Sequence, residues 1–124
     1  NYGFIPHTLS EDGDPVDAAV IGQTAVSPGV IIRSRPIGVL IMEDEKGIDE
    51  KILCVPVDDL HPYFADIASY RELPQILRDQ IAHFFGHYKD LEEGKWVEVK
   101  RWGEPDEAFQ LIRSGVERLQ AKGE

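Results

Sequence analysis

The 124 residues carry 23 aspartates and glutamates against 13 lysines and arginines, giving a net charge of −10 and a pI near 4.8. Such an acidic chain is poorly suited to gripping phosphodiester backbones or anionic membranes by charge, which sets aside nucleic-acid and membrane partners. With 42% hydrophobic and 29% charged residues it reads as one soluble globular domain, 1–124, and its single cysteine excludes an internal disulfide and fits a reducing cytoplasm.

Residues 1–17 lack periodicity and are broken by Gly3, Pro6, Gly13 and Pro15, which predicts a loop with a short extended piece. Within it lies Glu11-Asp12-Gly13-Asp14-Pro15-Val16-Asp17, where Asp12, Asp14 and Asp17 crowd a turn stiffened by a glycine and a proline. Three converging carboxylates repel one another, and a hard divalent cation relieves that repulsion. The EF-hand template fails, because counting from Asp12 its fifth and sixth positions are Val16 and Asp17. Read locally, an oxygen-ligand metal site and a solvated acidic turn fit the stretch equally well.

Residues 18–22 read as a buried strand, followed by a connection that ends in the turn signal Pro28-Gly29. Segments 30–35 and 37–42 are rich in β-branched residues and predict strand, with Pro36 at a bulge or edge because it cannot donate to a ladder. Residues 43–50 form a charged hairpin connection with Gly47 near its tip and with Asp44 and Asp49 on facing sides; 51–57 is the returning strand. Cys54, within Ile52-Leu53-Cys54-Val55, reads as a core residue rather than a nucleophile.

After an irregular stretch at 58–71, residues 72–91 predict the clearest helix, with Leu73, Leu77, Ile81, Phe84, Tyr88 and Leu91 forming one apolar stripe. Pro74 suits its first turn and Gly94 its C-cap. Segment 95–102 alternates as a strand, with Trp96, Glu98, Lys100 and Trp102 on one face and Val97, Val99 and Arg101 on the other. Pro105-Asp106-Glu107 opens a second helix whose buried side is Ala108, Ile112, Gly115, Val116 and Leu119. The class is α+β, mainly β in the first half.

His83 and His87 have zincin spacing, but Phe84-Phe85-Gly86 between them lacks the general-base glutamate, so helix-surface or subunit contacts are the better reading. Nucleophile-elbow, Walker and dinucleotide motifs do not occur in the sequence. Tyr88 and Lys89, taken singly, are a core tyrosine and a lysine that favours the helix C-terminus.

Taken together, Asn1-Tyr2-Gly3-Phe4-Ile5-Pro6 with Glu11-Asp12-Gly13-Asp14-Pro15-Val16-Asp17 closely resembles the signature of family I soluble inorganic pyrophosphatases of bacterial type. The similarity continues through Arg35-Pro36-Ile37-Gly38-Val39, Met42-Glu43-Asp44-Glu45, Gly47-Ile48-Asp49-Glu50-Lys51 and His83-Phe84-Phe85-Gly86-His87-Tyr88-Lys89-Asp90-Leu91, so it covers nearly the whole chain. The resemblance implies an OB-like five-stranded barrel packed by two helices, and hydrolysis of pyrophosphate by a metal-activated water. It implies that Asp12, Asp17 and Asp49 bind magnesium, that Asp44 binds a further magnesium, and that manganese or zinc can substitute. Asp14 matches the general base, while Tyr2, Lys51, Tyr88 and Lys89 match residues contacting phosphate. His83, His87 and Asp90 match positions near subunit contacts in hexameric members. Family members also carry an N-terminal segment ahead of the Asn-Tyr-Gly match, which supplies barrel strands and phosphate-gripping residues. On that ground these 124 residues are expected to be an N-terminally truncated form that hydrolyses pyrophosphate poorly or not at all. The alternative expectation is a non-catalytic metal-binding or oligomer-forming module.

Overall fold

The short extended piece foreseen near the N-terminus is a strand, Tyr2–Ile5 (β1), which pairs antiparallel with Val16–Val20 (β2), so the acidic stretch occupies the wide loop of a hairpin and enters β2 at Val16 and Asp17. A computed structural model of the chain describes residues 1–123. β2 runs parallel to Gly47–Pro56 (β4), β4 forms a long antiparallel hairpin with Ser34–Asp44 (β3), and the far side of β3 pairs with Val97–Gly103 (β5). The result is one five-stranded mixed sheet of order β1-β2-β4-β3-β5. The connection between β3 and β4 is tighter than the sequence suggests. Asp44 pairs directly with Gly47, so Glu45 and Lys46 alone turn the chain, and Gly47 takes a φ of +124° that a side chain would resist.

Both faces of the sheet are covered, which is why the two central strands carry near-continuous buried runs instead of a clean alternation. Helix Pro105–Ala121 (α2) packs Ala108, Leu111 and Ile112 over Val16, Ala18, Val39, Ile52 and Cys54. Helix Gln75–His87 (α1) covers the other face, with Leu77 and Ile81 over Leu53 and Val55, and Phe85 over Leu40 and Met42. Gly115 lets α2 come close: a Cβ there would meet Val16 Cγ2 at 2.9 Å.

Three departures from the sequence reading have local causes. Residues 30–33 are irregular, and strand begins only at Ser34. The Pro36 bulge is present, with a register shift between Pro36 and Gly38 against β4. A second bulge falls in β5, where Ile41 and Met42 face Arg101 and Val99, two residues apart. That extra residue resets the alternation, so Trp102 joins Val97 and Val99 against Leu40, Met42 and Phe85 instead of facing away from them. Finally, α1 ends at His87, not near residue 91, and its buried stripe is Leu77, Ile81 and Phe85. Phe84 is 59% exposed and Leu91 lies fully in solvent beyond the helix. Steps of four from Leu77 carry the stripe to Phe85, and the predicted step of three to Phe84 points outward. Gly94, expected as the cap of this helix, sits instead in a later turn with φ +77°.

Candidate active site

Strand alternation sets Asp17 on β2, Asp49 and Lys51 on β4 and Asp44 on β3 on the face that α1 covers, because each shares parity with a residue packed under α1: Ala19, Leu53 and Met42. Asp17 lies directly opposite Lys51 in register, and Met42 opposite Asp49. Lys51 is the centre of the group. Only 4% exposed, it donates to Asp17 Oδ2 at 2.8 Å, to Tyr2 Oη at 2.9 Å and to Asp49 Oδ2 at 3.0 Å, which uses all three ammonium protons. Burial alone would lower its pKa, but the hydrogen bonds it donates to Asp17 and Tyr2 and the field of Asp49 outweigh that and hold it firmly protonated. Asp49 is raised as well, which for a carboxyl disfavours the charged form. Burial raises its carboxyl above the ordinary range despite Lys51, and the fields of Asp17 and Asp44 add to the rise. Burial also raises the Tyr2 hydroxyl, against the pull of Lys51.

A second ion pair borders the first. The chain turns out of α1 at Tyr88, and Lys89 swings to the tip of the β3–β4 hairpin, where its Nζ donates to Asp44 Oδ2 at 3.0 Å and lies 3.8 Å from Glu45. Asp44 also accepts from the Lys46 amide at 2.9 Å, the bond that shapes the two-residue turn. Burial pushes the Asp44 carboxyl up, but Lys89 and the Lys46 amide pull it further down, to a net value below the ordinary range. Tyr88 lies beneath Lys89, with the ammonium 5.6 Å from its ring centre.

The acidic loop is built separately. Its near end is tied to α2, where Leu9 donates to Gly115 O at 3.0 Å and Arg118 Nη1 donates to Leu9 O at 2.7 Å. Buried Thr8 donates to Ile5 O and accepts from the Val16 amide, which closes the loop's neck. Asp12 Oδ1 accepts from the Asp14 amide at 2.9 Å, and the Ser10 amide donates to Asp14 O at 2.7 Å. Asp12 and Asp14 are exposed, and the charge of Asp12 is felt at Glu50, on the α2 side of β4, together with Glu11 and Arg118.

The aspartates expected to converge on one cation are thus divided. Asp17 and Asp49 meet at Lys51, Asp44 meets Lys89, and Asp12 engages the backbone of its own loop. Among the described residues no three His, Cys, Asp or Glu side chains are close enough to hold a metal ion. Each ammonium draws two carboxylates to itself, Lys51 those of Asp17 and Asp49 and Lys89 those of Asp44 and Glu45, while carboxylates without a cation between them repel. The donor set itself fits a hard divalent cation: it offers carboxylate oxygens only, and Asp49 is a buried carboxyl whose charged form Lys51 does not fully offset against desolvation. His83 and His87 stack at 4.1 Å on the exposed side of α1, and His87 Nδ1 bonds to His83 O at 2.8 Å. Cys54 is buried, its thiol pushed up to about 12 by desolvation, and it is chemically silent.

A family model described as inorganic pyrophosphatase matches residues 1–120. The chain belongs to the inorganic pyrophosphatase family. The inorganic pyrophosphatase of Caulobacter vibrioides is 60% identical over 118 residues, which are 95% of this chain and 67% of that protein. The inorganic pyrophosphatase of Bradyrhizobium diazoefficiens is 56% identical over 122 residues, 98% of this chain and 68% of its own. Among solved structures, the inorganic pyrophosphatase of Helicobacter pylori superposes with a TM-score of 0.94 at 42% identity, covering 97% of this chain and 71% of that one. The sheet with its two helices is therefore the OB-like pyrophosphatase fold. Within this family fold the sequence reading overlooked two neighbours of the charged cluster. Phe85, whose ring lies 5.7 Å from Lys51 Nζ, was signalled by the step of four from Ile81. Glu45 was one carboxylate among several in a charged loop, with nothing in the sequence to single it out.

Proposed function

We propose that the chain hydrolyses inorganic pyrophosphate to two phosphates, an activity carried by its membership of the inorganic pyrophosphatase family across nearly its whole length. Pyrophosphate is a polyanion, and two lysines on one face of the sheet, each with a tyrosine beside it, supply the donors such a ligand needs. Lys89 binds phosphate oxygens through its ammonium group, Lys51 does so by exchanging an aspartate partner for one, and Tyr2 and Tyr88 donate from their hydroxyls, so that charge on the departing phosphate is neutralised as the bridging P–O bond breaks. Asp14, exposed in the acidic loop and free of ion pairing with either lysine, accepts the proton of the attacking water as the new P–O bond forms, a contribution of ~10²–10⁴-fold.

Asp12, Asp17, Asp44 and Asp49 are the residues that would hold magnesium, with manganese or zinc as substitutes. Bound divalent cations there supply a water of lowered pKa and offset the charge of the phosphates. Lys51 holds Asp17 and Asp49, and Lys89 holds Asp44, on one face of the sheet, while Asp12 is carried by the adjoining loop. The unit is a single domain, assembles as a homo-oligomer, a hexamer by resemblance, and works in the cytoplasm. No helix among the described residues is long and apolar enough to cross a membrane. Incubating the chain with pyrophosphate and magnesium and measuring phosphate release tests the activity directly. Release above the metal-only rate supports it; magnesium binding without release overturns it in favour of a metal-binding module.

A further inference from the structure

Phe85 is the one ring that touches three of the four residues proposed to grip phosphate. Its centroid lies 5.7 Å from that of Tyr2 and 5.8 Å from that of Tyr88, the latter at 84°, an edge-to-face contact. The Lys51 ammonium is 5.7 Å from its centre on the same side of the sheet, and 5.3 Å from the Tyr2 ring. The surroundings differ sharply. Tyr2 and Tyr88 are 57% and 40% exposed, whereas Phe85 is 5% exposed and wedged over Leu40 and Met42. Two exposed phenols and a long lysine thus lean on one ring packed into the core. The polar contacts of Lys51 set its three N–H directions, but they come from Tyr2 at the sheet edge and from two aspartates that repel each other. The ring supplies the remaining wall.

We infer that Phe85 is a positioning residue for anion binding: its ring fixes the Lys51 ammonium and the Tyr2 and Tyr88 hydroxyls relative to one another. This inference rests on the pyrophosphate reading above, and it makes a claim about geometry that survives apart from it. A ring that only fills volume would be replaced by leucine at a cost in stability alone. A ring that aligns donors is needed for affinity, because a cation–ring contact out of water and the alignment of two phenols are both lost with it.

Two measurements on the full chain test this. The first compares pyrophosphate hydrolysis by wild type, Phe85→Leu and Phe85→Tyr, with Ile81→Val as a packing control on the same helix face. Phe85→Leu is expected to raise KM by roughly 5- to 30-fold with kcat within about two-fold, and Phe85→Tyr to restore KM, while Ile81→Val changes neither. An unchanged KM in Phe85→Leu, or loss of kcat with KM unmoved, overturns the proposal. The second needs no turnover. The ammonium protons of Lys51, all hydrogen-bonded and shielded, are expected to give a ¹⁵N-correlated NMR signal displaced by the adjacent ring. In Phe85→Leu that signal is expected to shift or to be lost through exchange with water, and to return in Phe85→Tyr. A signal unmoved in Phe85→Leu overturns the proposal even if the chain releases no phosphate, whereas absent hydrolysis with the NMR change intact refutes only the activity.

Discussion

Lys51 and Lys89 do different work from most lysines on this surface. Both are largely shielded, and each spends its charge on carboxylates that repel one another, so removing either leaves acid groups unbalanced in a partly desolvated setting. For the Lys89–Asp44 pair the pH dependence follows from the two shifts. The Asp44 carboxyl is lowered from its ordinary value of 3.8, so its stabilisation is present above that value and lost as pH falls through the folded one. Lys89 is raised from 10.5, chiefly because the Asp44 and Glu45 contacts outweigh burial, so its stabilisation is present below 10.5 and lost as pH rises through the folded value. Lys89→Met is expected to cost about 2 kcal/mol near neutral pH, and the deficit should shrink toward zero at both extremes. Denaturant melts across that range check the shape, and a deficit independent of pH would contradict it. Asp14 offers the complementary case. Exposed and outside both ion pairs, it can be changed with little effect on folding, so Asp14→Asn is expected to lower kcat by about 10²-fold or more while the melting temperature stays put. Retained turnover would remove Asp14 from its proposed role.

The elements owe their placement to a few close approaches. α2 settles on β2 only because Gly115 has no side chain. A methyl there would stand 2.9 Å from Val16 Cγ2 and 3.3 Å from Thr8 Cβ, and Thr8 also closes the neck of the acidic loop. Gly86, inside α1, meets nothing closer than Val99 Cγ2 at 3.5 Å, an ordinary contact. The two glycines therefore predict opposite signs. Gly86→Ala is expected to stabilise by up to about 1 kcal/mol through helix propensity. The same propensity gain at Gly115→Ala is offset by overpacking of about 1–3 kcal/mol, for a net loss, and by a displaced acidic loop. Urea unfolding of both variants measures the pair, and stabilisation by Gly115→Ala would show that α2 has room to move. The bulge in β5 acts at the same scale. One added residue turns Trp102 inward, and Trp102 and Phe85 then pack around Leu40 and Met42, so the floor beneath Phe85 depends on it.

At the scale of the molecule the net charge is −10, and a small part of it lies where Asp17, Asp44, Asp49 and Glu45 face only Lys51 and Lys89. Asp17, Asp44 and Asp49 share one face of the sheet, and Asp49 stays protonated to a higher pH than an isolated aspartate because burial, with the smaller fields of Asp17 and Asp44, outweighs Lys51. A ligand that supplies positive charge there binds the folded chain and not the unfolded one. Magnesium at roughly 100 times its dissociation constant is therefore expected to add about 2.7 kcal/mol, raising the melting temperature by several degrees. Sodium chloride at matched ionic strength should do much less, since it screens without coordinating. Asp49→Asn should abolish the magnesium-specific part. Equal responses to the two salts would mean that the carboxylates hold no divalent cation.

Much of this was legible in the residues. The mixed α+β class, the Pro36 bulge, the buried Cys54 and the second helix follow from local rules, because β-branching, proline chemistry and helical period act over a few residues. The acidic turn, the hairpin carboxylates and the Tyr88-Lys89 pair were also visible, and family resemblance grouped them. What only the tertiary structure decided is who meets whom. The β5 bulge inverted the face of Trp102, the early end of α1 freed Lys89 to reach Asp44, and the step from Ile81 to Phe85 put a ring beside Lys51. It also separated Asp12 from Asp17 and Asp49, which a count of aspartates could not do. Register, bulges and helix ends are settled by packing between distant segments, and a charged residue takes its partner from that packing, so composition could foretell the chemistry available but not its pairing.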